Sequence, residues 1–523
     1  MLLILACASY YGALHVPLYV DDSVVLYSAG QVPWPDSLIQ WINSRYVGLK
    51  SFTLSKPFDN ALPAIHLVTL VLHVINALLI YLLVKGLSSA LSLASFNRER
   101  QQQSVGLAAL SALIWLCHPL NSQAVVYISQ RFTVLALFFS LLTIIFFIKA
   151  LQNKSVKKKS LFAIFSLVFF ILALGSKQSV IFLPAFLYIL SVFILVRYRV
   201  KLLLAGVTFL LVCLAFAYYM PELLSTIDNL TRETQSYSRL DYFATQLQVV
   251  LQYFSLLFYP ANLRLEADIN LVLFNSAEFY YYLTIHLALI ATVLVFSWRY
   301  KQPLTLFALV LIYLGLAVES SFIPIQDLYF EHRMYLPSIG VIIIVLNMAK
   351  VLFSAVNVPN KVQFIIACFL TVGLCYLTSV RVQQWQAPLS FYQLELEKSP
   401  NSTRAMSSYG KELAKHGQKK QALDLILKSY NLEIEQGIIR QANIVGLLSV
   451  LVDIGYYQDA LNLGRRAINY TQGRPKLQSL VYSHLALVYY KMKQCGFAKG
   501  WSTKALKLDR TNGLAQQLIS MCN

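Results

Sequence analysis

Charge is scarce in this sequence. Asp, Glu, Lys and Arg make up only 13% of it, while 57% is hydrophobic and the mean hydropathy is +0.59. Soluble domains carry about a quarter charged residues, so this balance excludes an ordinary soluble protein and reads as a polytopic membrane chain. Cysteine is sparse and scattered: Cys7, Cys117, Cys213, Cys368, Cys375, Cys495 and Cys522. No CxxC pair and no cysteine–histidine spacing links them, which argues against a zinc site and against a disulfide framework. No basic stretch precedes the first apolar run. "LILAC" therefore reads as part of an uncleaved first helix, or of a chain begun at an internal methionine, rather than as a cleaved leader.

Apolar runs, by contrast, are abundant. A membrane helix needs about 20 such residues, and candidates lie at residues 2–20, 62–84, 106–120, 131–150, 160–176, 178–196, 201–220, 277–298, 303–319, 336–356 and 363–380. They predict an all-α body of about 11 crossings over residues 1–398. A Gln- and Tyr-rich stretch at 241–259 is expected to lie laterally or re-enter. The basic runs "FNRER", "NKSVKKKS", "VRYRVK" and "SWRYK" fit one alternating scheme with the N-terminus inside.

Under that scheme the inner side of residues 1–400 carries 15 basic residues and one acid, Glu99, while the other 16 acids fall outside or at outer helix ends. Asp21, Asp22, Asp36, Asp59, Glu222, Asp241, Glu266, Asp268, Glu319, Asp327 and Glu331 are among them. Less basic outer loops would explain the missing lysines, but not acids at helix ends. A site on that face would give a reason to collect carboxylates there; charge alone leaves both readings open.

From 399 to 523 the chain turns polar and Lys-rich. Ala422, Ala460 and Ala498 recur at a spacing of 38, with Gly410, Gly417, Gly455, Ala467 and Ala505 at related offsets. Small residues at such offsets let paired helices cross closely. The pattern predicts a tetratricopeptide-like α-solenoid of three units and a closing helix. From 401 on, 17 basic residues face seven acids. The topology places this tail outside, so a nucleic-acid partner is not expected; a peptide groove or a bland spacer is.

Polar groups at membrane depth are costly and mark function. "VDDSV" sets Asp21 and Asp22 where the first helix ends. Arg45 follows in "WINSRYVGLKSF", then His66, His73 and Asn76 in "AIHLVTLVLHVINALL". "CHPLNSQAVVYISQRF", expected as an outer loop, supplies His118, Gln123, Gln130 and Arg131; "ALGSKQSV" supplies Lys177; "ESSFIPIQDLYFEHRMYLPS" supplies Glu319, Asp327, Glu331, His332 and Arg333. Acids and cations at one membrane face suit a phosphate-bearing lipid.

In their order, the first-loop "DD", "SRY", "HLVTLVLHVINALL", "HPLNSQAVVYISQR", "SKQS" and "EHRMYLPS" resemble the transmembrane and tetratricopeptide-repeat O-mannosyltransferases and their bacterial relatives, of the GT-C superfamily. The sequence departs from that family at Arg45-Tyr46-Val47, Ser176-Lys177-Gln178 and Glu331-His332-Arg333. The resemblance implies transfer of a sugar from a polyprenyl phosphate or diphosphate to a hydroxyl, with a protein acceptor favoured by the repeats. It implies a site outside the cytoplasm, in a bacterial inner membrane or the endoplasmic reticulum. One aspartate of the pair, with a lean to Asp22, would be the general base. Arg333, His332, Arg131 and Lys177 would hold the donor phosphate, and Arg45, His66, His118 and Glu331 would contact substrate. No metal is required, though two carboxylates could hold a divalent cation. A lipid-linked glycan acceptor, a transporter or flippase, and an assembly factor recruiting partners through its repeats are the competing readings.

Overall fold

The structure is a computed structural model that describes residues 1–58, 61–92, 98–195, 200–201, 203–208, 234, 236–435, 441–510 and 512–522. Among these, every regular element is a helix. The chain divides at Ala387/Pro388, ahead of the expected 398/399 boundary. One unit comprises Met1–Leu265 and Ile269–Ala387, the other Glu266–Asp268 and Pro388–Asn523.

In the first unit, five described helices are long and apolar enough to cross a membrane: Leu62–Leu91, Ile128–Gln152, Ala277–Arg299, Pro337–Ala355 and Asn360–Gln384. Val105–Leu116 and Pro119–Val126 make a sixth if the bent pair counts as one span. Among the described residues, five of the eleven expected crossings, or six with the bent pair, meet this test of length and composition. Leu2–His15, Gln178–Ile194 and Pro303–Leu316 are apolar but short. At about 1.5 Å per residue, their 14 to 17 residues reach only ~21–26 Å, less than the ~30 Å hydrocarbon core. Val156–Leu174 opens with Lys157, Lys158 and Lys159, which shortens its apolar part. The expected crossing at 201–220 lies largely outside the described residues. Arg239–Phe258 is one helix and is not among the candidate spans.

The 54° bend between Leu116 and Pro119 changes the reading of the segment that follows. Proline restricts the residue before it and starts a new helix at a position needing no N–H donor. Residues 114–129 are all buried, so what the sequence suggested as an outer loop is folded into the body. An aromatic and polar knot holds it there. His73 Nδ1 lies 2.7 Å from the Tyr335 hydroxyl and its Nε2 3.1 Å from the Leu116 carbonyl. Trp115 Nε1 donates to the Tyr335 carbonyl at 3.0 Å, and Asn76 Nδ2 to the Val134 carbonyl at 3.0 Å. Buried polar groups are costly unless bonded; here they lock four segments in one register.

The second unit is regular. Helices end at Lys415, Asp453 and Lys491, each 38 residues after the last, and their partners begin at Lys419, Tyr457 and Cys495 with the same period. The turn residues Gly417 (φ 80°), Gly455 (φ 88°) and Lys493 (φ 62°) share the left-handed conformation. Ala422, Ala460 and Ala498 are fully buried, and a Cβ on Gly410 would lie 2.5 Å from Ile426. Helix-turn-helix units with small residues at the crossings are thus present.

The scattered cysteines argued against a disulfide framework, yet the structure joins one pair. Cys495 and Cys522 are joined, linking Cys495–Leu508 to Gly513–Met521. A spacing of 27 carries no signature in sequence; the return of the closing helix brings the two together. Glu266 and Asp268 belong to this unit as well. Glu266 accepts from Ser402 Oγ at 3.1 Å and pairs with Arg404 at 3.7 Å, and Asp268 accepts from the Asn401 N–H at 2.8 Å. These two carboxylates of the expected outer set therefore anchor the start of the helical tail.

Candidate functional site

Residues 19–22 form a tight turn. The Asp22 N–H donates to the Tyr19 carbonyl at 2.8 Å, and the Tyr19 N–H donates back to Asp22 Oδ2 at 2.9 Å. Val20 sits at φ 34°, a region that disfavours β-branched residues. The turn separates the paired aspartates. Asp22 is 1% exposed, and its Oδ1 accepts from the Ser129 N–H at 2.8 Å and Oγ at 2.6 Å. Burial raises its pKa to about 6 against the lowering effect of those bonds. Asp21 is exposed, its carboxylate touched by the Tyr127 hydroxyl at 3.3 Å.

A second cluster lies one turn along the same segment. Ser129 and Thr133 are four residues apart, about 6 Å of helical rise. Thr133 Oγ1 accepts from Lys177 Nζ at 3.2 Å, and Lys177 pairs with Glu319 Oε1 at 2.8 Å. Lys177 reaches this point because Gly175 lets its turn press against the first loop. A Cβ there would lie 2.2 Å from Trp41 Nε1, and the Gly175 carbonyl accepts the Val47 N–H at 2.9 Å. Arg45, left-handed at φ 50°, places its guanidinium 5.6 Å from the Phe132 ring centroid. Its charge is felt by both Lys177 and Glu319.

Arg333 completes the cluster. It donates to the carbonyls of Leu328 at 3.1 Å and Asp327 at 2.5 Å. Helix Arg239–Phe258 holds this loop in place: Tyr242 donates to the Glu319 carbonyl at 2.7 Å, Gln246 to the Leu328 carbonyl at 2.9 Å, and Tyr253 accepts the Phe330 N–H at 2.8 Å. Burial disfavours the charge on Glu319, yet Lys177 and Arg333 outweigh it and hold its pKa below the usual carboxylate value. Lys177 is lowered by burial, with Glu319 opposing. A cleft opens over Thr133, Lys177, Glu319, His332, Arg333 and Tyr335. His332 is steered into its wall by Gln123, whose Oε1 accepts the His332 N–H at 2.8 Å.

Of the expected site residues, Asp21, Asp22, Arg45, Lys177, His332 and Arg333 thus gather around one stretch, residues 127–133. Four others bond protein groups inside the body. Arg131 is fully buried and donates to Thr69 Oγ1 at 2.9 Å and to the carbonyls of Ser51 and Ile65, with its guanidinium 4.2 Å from the Phe52 ring centroid. These bonds make it an internal strut. His66 bonds the Val16 carbonyl at 2.9 Å and His118 the Leu257 carbonyl at 3.0 Å. Glu331 is buried and accepts the Arg264 N–H. All four tie segments together inside the body. Thr133, Ser129 and Tyr127 were not singled out in the sequence, and Glu319 was named among the outward carboxylates without a specific role. For Glu319 the available signal was a carboxylate just past the end of an apolar helix.

A second feature bears on ligand chemistry. An apolar groove is lined by Ile189, Phe193, Leu294, Leu306, Phe307, Leu309 and Val310. It is built by the helices Gln178–Ile194 and Pro303–Leu316, with Leu294 from Ala277–Arg299; the other ends of the first two lie by Lys177 and Gly315 at the charged cleft. Phe193 and Phe307 meet edge-on at 5.0 Å. Among the described residues, no group of three or more His, Cys, Asp or Glu side chains is arranged to hold a metal ion. Comparison of the chain with protein-family models, with curated proteins and with solved structures yields no match.

Proposed function

We propose that the chain is an integral membrane glycosyltransferase that moves a sugar from a polyprenyl phosphate or diphosphate to a hydroxyl on the non-cytoplasmic face. The observation that carries this reading is the shared construction of the two cavities. One pair of packed helices presents a cationic cleft at one end and an apolar groove at the other, roughly 12 Å apart from Gly315 to Phe307. That profile matches an amphiphile with an anionic head and a hydrocarbon tail.

In this mechanism the donor phosphate lies against Lys177, Arg333 and Arg45, with His332 beside it. Asp21, rather than the Asp22 favoured from sequence, is the base. Asp22 is buried and spends its carboxylate on Ser129 and the Tyr19 N–H, so it holds the turn. Asp21 is exposed on that turn and free to meet an acceptor on its solvent side. The acceptor oxygen bonds to the anomeric carbon and its proton passes to Asp21. The bond from that carbon to the phosphate oxygen breaks, and the phosphate leaves with the electron pair, its growing charge met by the cations. Attack opposite the leaving group inverts the anomeric centre.

The tail reads as a tetratricopeptide-like solenoid that presents the acceptor protein. Its disulfide supports a location outside the cytosol, since such bonds persist in oxidising compartments. The test is to incubate the purified full chain with polyprenyl phosphate-linked and diphosphate-linked sugars and a hydroxyl acceptor. Release of the lipid phosphate coupled to acceptor glycosylation is expected. No release from any donor of either class, by protein shown to be folded, would overturn the reading.

A further inference from the structure

Among the described residues, Glu319 is the one carboxylate lining the cationic cleft, and its position conflicts with binding a phosphate there. It occupies Lys177 at 2.8 Å, and its charge is coupled to Arg333 and Arg45 as well. A phosphate entering the cleft meets this carboxylate as a like charge. We propose that Glu319 is a built-in competitor for the lipid phosphate: it holds Lys177 ready and yields that ion pair when phosphate arrives. The proposal rests on the reading of the cleft as the phosphate site.

The local geometry allows the exchange. The Glu319 side chain is 17% exposed against 8% for Lys177, so the acid lies on the outer side of the pair. Its backbone is pinned by Tyr242 at 2.7 Å, which leaves only the side chain to swing. Lys177 keeps a second acceptor, Thr133 Oγ1 at 3.2 Å, and so stays in place when Glu319 leaves. One ion pair is replaced by another, with no proton moved. A buried lysine without an acid beside it tends to lose its charge; Glu319 prevents that before the donor binds. After transfer the same carboxylate repels the departing lipid phosphate, which carries more negative charge than the donor ester did. Glu319 is therefore a positioning residue that also speeds product release.

The experiment compares the purified full chain with Glu319→Gln in lipid nanodiscs, using a short-chain polyprenyl phosphate as the binding probe and sugar transfer as the second readout. Glu319→Gln should bind the probe about tenfold more tightly, with a lower donor KM and a lower kcat as release slows. Wild-type protein that binds the probe while Glu319→Gln binds it equally or more weakly overturns the competitor role and leaves the phosphate site standing. No binding by either protein overturns the site itself. Thermal unfolding without lipid checks that the variant folds. If it does not, Glu319→Asp, which keeps the charge but lengthens the pair, should bind the probe a few-fold more tightly, and equal or weaker binding overturns the proposal.

Discussion

The helical tail and the membrane body use the same element in opposite ways. In the tail, helix ends repeat every 38 residues, turns repeat their left-handed residue, and buried alanines mark each crossing. In the body, helices stop short, bend by 54° at Pro119, and leave Val20 and Arg45 in strained left-handed conformations. Regularity suits a surface that only has to be held open. Irregularity gathers a carboxylate, three cations and an apolar groove that no straight bundle would bring together. Strain of this kind persists where the surrounding structure over-determines it.

The contrast can be broken at its strongest point with Arg131→Ala. If Arg131 is a strut, its loss removes the donor it gives to the Ser51 and Ile65 carbonyls and to Thr69 Oγ1, and should destabilise the body by about 1–3 kcal/mol for each acceptor left unpaired. Thermal unfolding in detergent would show this. A variant of unchanged stability with weakened donor binding would return Arg131 to the phosphate site.

A milder probe is pH. The Asp22 pKa is raised to about 6 in the folded chain from an ordinary value of 3.8. Between those values the folded state holds the extra proton, so this group favours folding at low pH and costs stability as pH rises toward 6. Asp22→Asn should flatten that part of the profile, an effect of at most about 3 kcal/mol. An unchanged slope of melting temperature between about pH 4 and 6 would count against the buried placement.

The smallest effect lies in the tail. Lys493 holds φ 62° where the preceding units have Gly417 and Gly455. Lys493→Gly should stabilise the tail or leave it level, whereas Gly455→Ala should cost about 1 kcal/mol. A strong loss with Lys493→Gly would mean the three turns are not equivalent.

Much of this was legible in the sequence because it was periodic or compositional. The apolar runs announced helices, and the alanines at 422, 460 and 498 announced the tail's register. Clustering of Lys177, Arg333 and Arg45 was legible only as charges at outer helix ends, not as contacts. Other features depended on folding back. A buried Arg131 and a phosphate-binding arginine look identical in sequence; only the carbonyls of Ser51 and Ile65, brought from another segment, tell them apart. Likewise "DD" does not say which aspartate is turned inward. Val20's positive φ and the Ser129 hydroxyl decide that. The Cys495–Cys522 bond was invisible for the same reason.

The most direct test compares Asp21→Asn with wild type in single-turnover transfer from a lipid-linked sugar, with donor binding measured in parallel. The account predicts that Asp21→Asn still binds donor but transfers sugar about 100-fold or more slowly. Transfer at the wild-type rate by Asp21→Asn would contradict it.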